Sequence, residues 1–211
     1  MVRYLNLDDI DEIVKVENET WIPPMQAPRE RIENRIKNGH RYLGYEIDGD
    51  MAGIVAWSYQ YIKSLNELPK DFSLFSSGES ILEKSNVAFI YNVGVAKKFR
   101  GQGVGTKVVR EALNKIKEDG VTQVYLDGRC PSYNGSTEYE QEHIEQQTEF
   151  KKRIDKCIRE NKTPTIDDIE YDPVLRFYKK LGFKPVHLIS NFIPQDSPSG
   201  GNRIIMYIKF S

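Results

Sequence analysis

The sequence predicts an α/β protein whose elements alternate in the order β-α-α-β-β-β-α-β-α-β-β. The clearest strand is 87–95 (V-A-F-I-Y-N-V-G-V), an apolar, β-branched and aromatic run that is typical of a buried strand. The clearest helix begins near Val104, because apolar residues recur from there at helical spacing until Gly120, where a helix would stop. The third observation is a hairpin, in which 41–47 and 51–62 flank a turn-forming Asp-Gly pair.

The other elements follow from the same periodicities and from capping and turn residues. Asp8 can cap a first helix, and Gly39 can end a second one. Residues 63–86 are polar and contain several serines, so we expect a long loop with some helix there. The remaining elements are predicted as a strand at 2–7, helices after Asp8 and at 29–38, and strands at 121–127, 186–193 and 203–210.

Composition excludes several classes of protein. The 211 residues carry 30 basic and 31 acidic side chains, so the net charge of −1 predicts no general attraction to nucleic acid or to a membrane. No apolar run reaches the roughly 20 residues of a membrane helix, and the N-terminus lacks a signal-peptide pattern. Two cysteines and three histidines give no metal-ligand spacing, and we expect an inert thiol at Cys130. We therefore expect one domain over 1–211, located in the cytoplasm.

The turn between the clearest strand and helix, 100–105 (R-G-Q-G-V-G), has the features of an anion site. A glycine-rich turn that opens a helix leaves several backbone N–H groups unpaired at the positive end of the helix dipole. A dinucleotide-binding G-x-G-x-x-G turn does not fit, because Thr106 or Val108 stands where its third glycine would be. A P-loop does not fit either, because Arg100 replaces its first glycine and Thr106 replaces its lysine.

The pattern that fits is [Q/R]-x-x-G-x-[G/A], filled by Arg100, Gly103 and Gly105. It resembles the acyl-CoA pyrophosphate loop of the GNAT superfamily of N-acetyltransferases. A second motif at 172–183 (D-P-V-L-R-F-Y-K-K-L-G-F) resembles the short F-Y-x-x-x-G-F helix of the same superfamily. Asp172 can cap this helix, and its expected apolar face consists of Val174, Phe177, Tyr178 and Leu181. The resemblance covers most of the chain.

The resemblance implies a central mixed, mostly antiparallel, twisted sheet of about seven strands flanked by helices, with acetyl-CoA as co-substrate. In the superfamily, the loop holds the pyrophosphate through backbone N–H groups, and the preceding strand binds pantetheine and thioester through main-chain groups. The implied cofactor-binding residues are Asn92, Val93 and Val95 on the strand, and Arg100, Gly101, Gln102, Gly103, Val104, Gly105 and Thr106 in the loop. Lys97 or Lys98 could add charge, Gly94 is expected to mark a bulge that opens the sheet, and no metal is implied.

Tyr178 matches the tyrosine that protonates the leaving thiolate in many members of the superfamily. A phenol suits this role because it stays protonated at neutral pH. The general base is left open, because this chain has Tyr91 and Asn92 where some relatives carry a glutamate. Its candidates are a water relayed through Asn92, a carboxylate such as Glu83 or Asp127, and His187. Tyr171 stands where many relatives have an asparagine that touches CoA, which puts that contact in doubt.

The main departure from the superfamily is an insertion at 130–170, between the fifth strand and the fourth core helix. Within it, Phe150, Ile154, Cys157 and Ile158 keep helical spacing, which predicts an extra amphipathic helix. Three short runs, 128–133, 172–175 and 191–196, also resemble a GNAT subgroup that is sometimes fused to carbon–nitrogen hydrolases. Acceptor specificity is expected in 18–28, 63–86 and 130–170, with Trp21, Tyr133 and Tyr139 as candidates to line the pocket.

The resemblance thus implies an N-acetyltransferase that transfers an acetyl group from acetyl-CoA to a primary amine, which we take to be that of a small molecule. Two alternatives stay open. One is a protein N-terminal or lysine acetyltransferase, and the other is an acyl-CoA-binding regulatory module with little turnover. The sequence leaves open the acceptor, the acyl-chain preference and the oligomeric state, although homodimers are frequent in the superfamily.

Overall fold

A computed structural model describes residues 1–64, 72–135 and 144–210 of the chain. The strands are β1 (Val2–Leu5), β2 (Arg41–Ile47), β3 (Asp50–Gln60), β4 (Val87–Val95), β5 (Gln123–Arg129), β6 (Lys184–Ile189) and β7 (Arg203–Lys209). The helices are α1 (Ile10–Thr20), α2 (Arg29–Lys37), α3 (Phe72–Ser77), α4 (Val104–Glu118), α5 (Ile144–Glu160) and α6 (Pro173–Lys180). The strands form one seven-stranded mixed sheet in the order β1-β2-β3-β4-β5-β7-β6, which confirms the predicted α/β fold.

The contacts of the chain fall into two compact units. The first unit comprises Met1–Val124 with the last residues from Lys209, and the second comprises Tyr125–Ile208. The prediction of a single domain therefore stays a prediction. None of the helices in the described ranges is long and apolar enough to cross a membrane.

In the first unit, β1 to β4 pair antiparallel, and helices cover both faces of these strands. A Cβ added at Gly53 would lie 2.8 Å from Val104 of α4. A Cβ added at Gly94 would instead lie 2.9 Å from Thr20 of α1. Because Gly53 faces Val95 in the ladder, the two glycines point to opposite faces. Each glycine thus allows one helix to approach the sheet closely.

The strand β4 contains a bulge three residues before Gly94, and its position corrects the prediction. Ala56 of β3 lies opposite Asn92. The next residue of β3, Trp57, lies opposite Ile90, so Tyr91 has no partner across the ladder. The bulge is therefore at Tyr91, because an extra residue there is what shifts the register. Gly94, which we expected to mark the bulge, makes room for α1 instead.

In the second unit, β6 and β7 form an antiparallel pair that runs from Lys184 opposite Tyr207 to Ile189 opposite Arg203. The predicted extra helix is present as α5, in which Phe150, Ile154 and Cys157 are buried. Ile158, which we expected on the same face, is 37% exposed.

The short helix α6 buries one residue that the prediction did not include. Leu175 is fully buried, while Val174, Phe177, Tyr178 and Leu181 are largely but not completely buried. Leu175 packs where Gly128 of β5 has no side chain, since a Cβ there would lie 2.7 Å from the leucine. The predicted face is thus partly covered, and the contact with Gly128 adds Leu175 as the most deeply packed side chain of the helix.

The remaining boundaries shift by a few residues. The strand predicted at 186–193 is 184–189, because the chain turns at Asn191, whose φ is 57°. The strand predicted at 121–127 is 123–129. Part of the predicted loop at 63–86 forms α3, and residues 65–71 of that loop lie outside the described residues. Tyr139 and the rest of 136–143 also lie outside them.

Asp172 connects the insertion to α6 and is completely buried. Its carboxylate caps α6 by accepting from the N–H groups of Val174 (2.9 Å) and Leu175 (3.0 Å). It also accepts from the N–H of Ser132 at 2.9 Å. One carboxylate thus satisfies three backbone donors that burial would otherwise leave unpaired.

We predict that Asp172→Ala lowers the free energy of unfolding by about 3 kcal/mol, because it removes a helix cap and leaves a buried N–H unpaired. Urea denaturation followed by circular dichroism measures this change. Asp167→Ala is the matched control, because Asp167 is exposed and its side chain caps nothing. If Asp167→Ala were as destabilised as Asp172→Ala, the stabilising role of the three hydrogen bonds to Asp172 would be contradicted.

Candidate active site

The loop between β4 and α4 has the conformation that a phosphate cradle requires. Gly101 (φ 75°) and Gly103 (φ 79°) are both left-handed, a conformation that side chains rarely adopt. At both positions, no atom lies within 4 Å of where a Cβ would be, so the backbone is open to a ligand. Gly103 is the N-cap of α4, and no side chain caps the helix there. The first N–H groups of α4 are therefore arranged as an anion site.

Arg100 is bound to the backbone beside this loop. Its Nη2 donates to the carbonyl of Glu19 at 2.5 Å, and its Nε donates to the carbonyl of Val95 at 3.3 Å. The carboxylate of Glu19 in turn accepts from the N–H of Lys97 at 2.7 Å. Lys98 pairs with Asp50 at 2.5 Å on the surface. Arg100 and Lys97 thus anchor the loop to the end of α1, which is a positioning role in addition to any charge they provide.

The bulge in β4 places Asn92 against α1. The amide of this buried residue donates to Glu17 Oε2 at 2.6 Å and accepts from Trp21 Nε1 at 3.0 Å. Glu17, which is also buried, accepts from the N–H of Ala27 at 2.9 Å. Burial raises the pKa of the Glu17 carboxyl. This geometry favours a positioning role for the Asn92 amide over a water relay, and it gives the predicted lining residue Trp21 a defined anchor.

Because of the bulge, the Tyr91 side chain lies in a second cluster of buried polar groups. Its hydroxyl lies 2.9 Å from His40 Nδ1, and His40 Nε2 lies 2.7 Å from the carbonyl of Gly78. A carbonyl only accepts, so Nε2 carries the proton and Tyr91 donates to Nδ1. The guanidinium of Arg35 lies 4.8 Å from the centre of the Tyr91 ring. Burial lowers the pKa of His40 to about 4, so the imidazole is neutral at neutral pH.

The second unit holds a buried network of two aspartates and two arginines. Arg129 donates from Nε and Nη2 to Asp196 at 2.9 and 2.8 Å. Arg203 Nη1 pairs with Asp196 at 2.7 Å, while Arg203 Nε lies 3.6 Å from Asp127 Oδ2. Asp196 and Arg203 are 0% and 1% exposed. Of these four residues, only Asp127 was predicted as a candidate base. Arg129 and Asp196 fall within the runs 128–133 and 191–196, and Arg203 comes from β7.

Two titratable groups with raised pKa values lie in this unit. Burial raises the pKa of Asp127 to about 7, although Arg203 opposes the shift. Tyr178 lies on α6 with its ring centre 5.0 Å from that of Phe177 and 6.1 Å from that of Phe183. Burial, together with the negative charge of Asp127, raises the pKa of the Tyr178 phenol above its ordinary value. Tyr178 thus holds its proton at neutral pH, whereas the pKa of Asp127 lies close to neutral.

Other candidates from the sequence occupy less suitable places. Glu83 is exposed in a short 3-10 turn, and His187 is exposed on β6. Cys130 is buried with Sγ 3.6 Å from the carbonyl of Asn202, and burial raises its pKa to about 12. This thiol is therefore a poor nucleophile at neutral pH, in agreement with the expected inert role.

Two tyrosines of the insertion region make structural contacts. The Tyr133 hydroxyl donates to Asp155 at 2.5 Å, and Lys151 Nζ lies 3.7 Å from the ring centre. The guanidinium of Arg153 lies 4.7 Å from the ring centre of Tyr171. Tyr133 thereby joins the start of the insertion to α5, which favours local packing over a lining role.

Residues 7–139 match the sequence profile of the Acetyltransferase (GNAT) family. Because this match covers more than half of the chain, the chain belongs to that family. The resemblance read from the two motifs is thereby confirmed, while the relation to hydrolase-fused members stays a prediction.

Individual relatives are distant in sequence. An N-alpha-acetyltransferase of Sulfolobus acidocaldarius is 23% identical over 137 residues, which cover 63% of this chain and 71% of the relative. An N-alpha-acetyltransferase of Sulfurisphaera tokodaii is 19% identical over 196 residues, which cover 90% of this chain and 84% of the relative. A solved GNAT-like decarboxylase, GphF in complex with isobutyryl-CoA, has a TM-score of 0.75 at 17% identity, covering 99% of this chain and 98% of that one. At this identity the structural similarity shows the fold alone.

The loop assignment predicts that Gly103→Glu lowers acetyl-CoA affinity by about 100-fold or more, because a side chain and a negative charge would occupy the cradle. Gly120→Glu is the matched control. Gly120 has the same left-handed backbone (φ 81°) and equally open space, but it lies at the opposite end of α4. Isothermal titration calorimetry with acetyl-CoA compares the two variants. Equal affinities would contradict the assignment of this loop to the pyrophosphate.

Proposed function

We propose that the protein is an acetyl-CoA-dependent N-acetyltransferase that acts on a primary amine, with Asp127 as general base and Tyr178 as general acid. The observation that carries this proposal is the pair of groups in the second unit. One is the Asp127 carboxyl, which is 7% exposed and 3.6 Å from Arg203 Nε, and whose pKa burial raises to about 7. The other is the Tyr178 phenol, whose pKa burial raises above its ordinary value. Acid–base catalysis works best when the two groups differ in this way. Membership of the GNAT family supports the acyl-CoA donor.

Each of these residues would have a separate role in the reaction. The backbone of 101–106 would hold the pyrophosphate, with Arg100 anchoring the loop, and the main chain at Asn92, Val93 and Val95 would hold the pantetheine and thioester. As the amine nitrogen bonds to the carbonyl carbon and the carbon–sulfur bond breaks, Asp127 takes the amine's proton. Tyr178 gives its own proton to the departing sulfur. The products are an amide and CoA thiol, and the balance closes when Asp127 releases the proton it took and Tyr178 regains one from solvent.

Asp127 is the best supported of the candidate bases. Glu83 and His187 are exposed, and the amide of Asn92 is held by Glu17 and Trp21. The side chain of Asp127 is only 7% exposed, and its pKa lies near the operating pH, where a general base is most effective.

The acceptor is proposed only as a primary amine. The small-molecule amine expected from the sequence remains our first choice, and the two relatives named N-alpha-acetyltransferase favour the α-amine of a protein as the variant to test beside it.

CoA release measured with a thiol reagent tests the proposal against a panel of small amines, peptides with free α-amines and lysine peptides. The proposal predicts release that depends on an amine and is matched by formation of the acetylated product. Tight acetyl-CoA binding without turnover on any amine would instead indicate a regulatory module. Loss of CO2 from a carboxyacyl-CoA would indicate the chemistry named for GphF.

We predict that Tyr178→Phe lowers kcat by about 100-fold and leaves the KM for acetyl-CoA nearly unchanged, because a general acid contributes to the transition state alone. Tyr207→Phe is the control. It removes a phenol hydroxyl from the same unit, where the ring of Tyr207 packs against that of Tyr125 at 4.7 Å. Equal kcat values for Tyr178→Phe and the wild type would remove Tyr178 as the acid.

A further inference from the structure

We propose that Asp196 is a positioning residue for the base: it holds the Arg203 guanidinium so that Asp127 is left without a close ion pair. This inference rests on the proposed role of Asp127 as general base. It concerns a residue on the loop before β7, which the two family motifs do not include.

The distances in the network show an unequal division of one guanidinium between two carboxylates. Arg203 Nη1 binds Asp196 at 2.7 Å and also donates to the carbonyl of Asn202 at 2.8 Å. Arg203 Nε, on the edge nearer Asp127, lies 3.6 Å from that carboxylate and has no hydrogen-bond partner among the described residues. A buried donor without a partner is unusual and requires an explanation. The explanation here is that the other end of the guanidinium is held.

Asp196 is itself fixed from several sides. Arg129 binds both of its carboxylate oxygens, which is the fork geometry that arginine prefers with carboxylates. The backbone of Asp196 donates to the carbonyl of Ile193 at 3.0 Å and accepts from the N–H of Gly201 at 3.0 Å. Asp196 therefore cannot follow Arg203 toward Asp127, and Arg203 cannot approach Asp127 without breaking the 2.7 Å pair.

Two charged groups shift the pKa of Asp127, and one neutral phenol responds to its charge. Arg203 of β7 stabilises the carboxylate, Asp196 of the preceding loop destabilises it, and the phenol of Tyr178 on α6 stays neutral. Removing the charge of Asp196 would act twice in the same direction. It would remove a repulsive charge, and it would release Arg203 toward Asp127. Both effects lower the pKa of Asp127.

The decisive variant is Asp196→Asn, measured by the pH dependence of kcat/KM for CoA release. A base must be deprotonated, so activity of the wild type rises with pH through about 7. In Asp196→Asn we expect this rising limb to move toward lower pH by about one unit. Asp196→Glu keeps the charge and should leave the limb near its wild-type position. Asp168→Asn is the control, because it breaks a separate ion pair with Arg153 (3.1 Å) in the same unit.

A second measurement separates this inference from the proposed function. The carboxyl carbon of Asp127, followed by NMR against pH, reports its titration whether or not the protein is active. An unmoved titration of Asp127 in folded Asp196→Asn would overturn the role of Asp196. A titration that moves while the kinetic limb stays in place would show that Asp127 is not the base, and so would a limb that persists in Asp127→Asn. If Asp196→Asn does not fold, the double variant Arg129→Gln/Asp196→Asn removes one charge of each sign, and the same downward movement is expected.

Discussion

The bulge at Tyr91 is the constraint on which the rest of the first unit depends. In a regular strand, Tyr91 and Asn92 would point to opposite faces. Because one residue is inserted, both side chains lie on the face covered by α1 and α2, where Asn92 binds Glu17 of α1 and Tyr91 lies beside Arg35 of α2 and His40. The same irregularity interrupts the ladder in the strand that precedes the glycine loop, where the family binds its thioester through the main chain.

The second unit shows a different constraint, because it places two carboxylates and two guanidinium groups in one network and buries all of them except Arg129. Asp196 receives three close donor contacts from two arginines, whereas Asp127 receives one distant contact. Fully paired buried carboxylates remain ionised and are weak bases, while an unpaired one is costly to ionise. Because Arg203 is shared unequally, the pKa of Asp127 lies between that of a fully paired buried carboxylate and that of an unpaired one.

The sequence was sufficient for the fold and for locating the left-handed glycine loop, because both depend on local patterns. The left-handed glycines Gly101 and Gly103 and the cap Asp172 each express a requirement of the backbone nearby. The bulge could not be read in this way, because Gly94 carries the local signal while the register is set by β3. The contacts of Asp127 could not be predicted for the same reason, since Asp196 and Arg203 are about 70 residues away and no local pattern links them to Asp127.

The segment between α1 and α2 is held at both ends. Trp21 is bound to Asn92, Gln26 Nε2 donates to the carbonyl of Trp21 at 2.8 Å, and the N–H of Ala27 is bound to Glu17. Two prolines between these points fix further backbone angles, and Ile22 beside them is 42% exposed. A surface that is already ordered loses little conformational entropy when a molecule binds to it. The free energy of its apolar contacts then contributes to affinity and is not offset by the cost of ordering the chain.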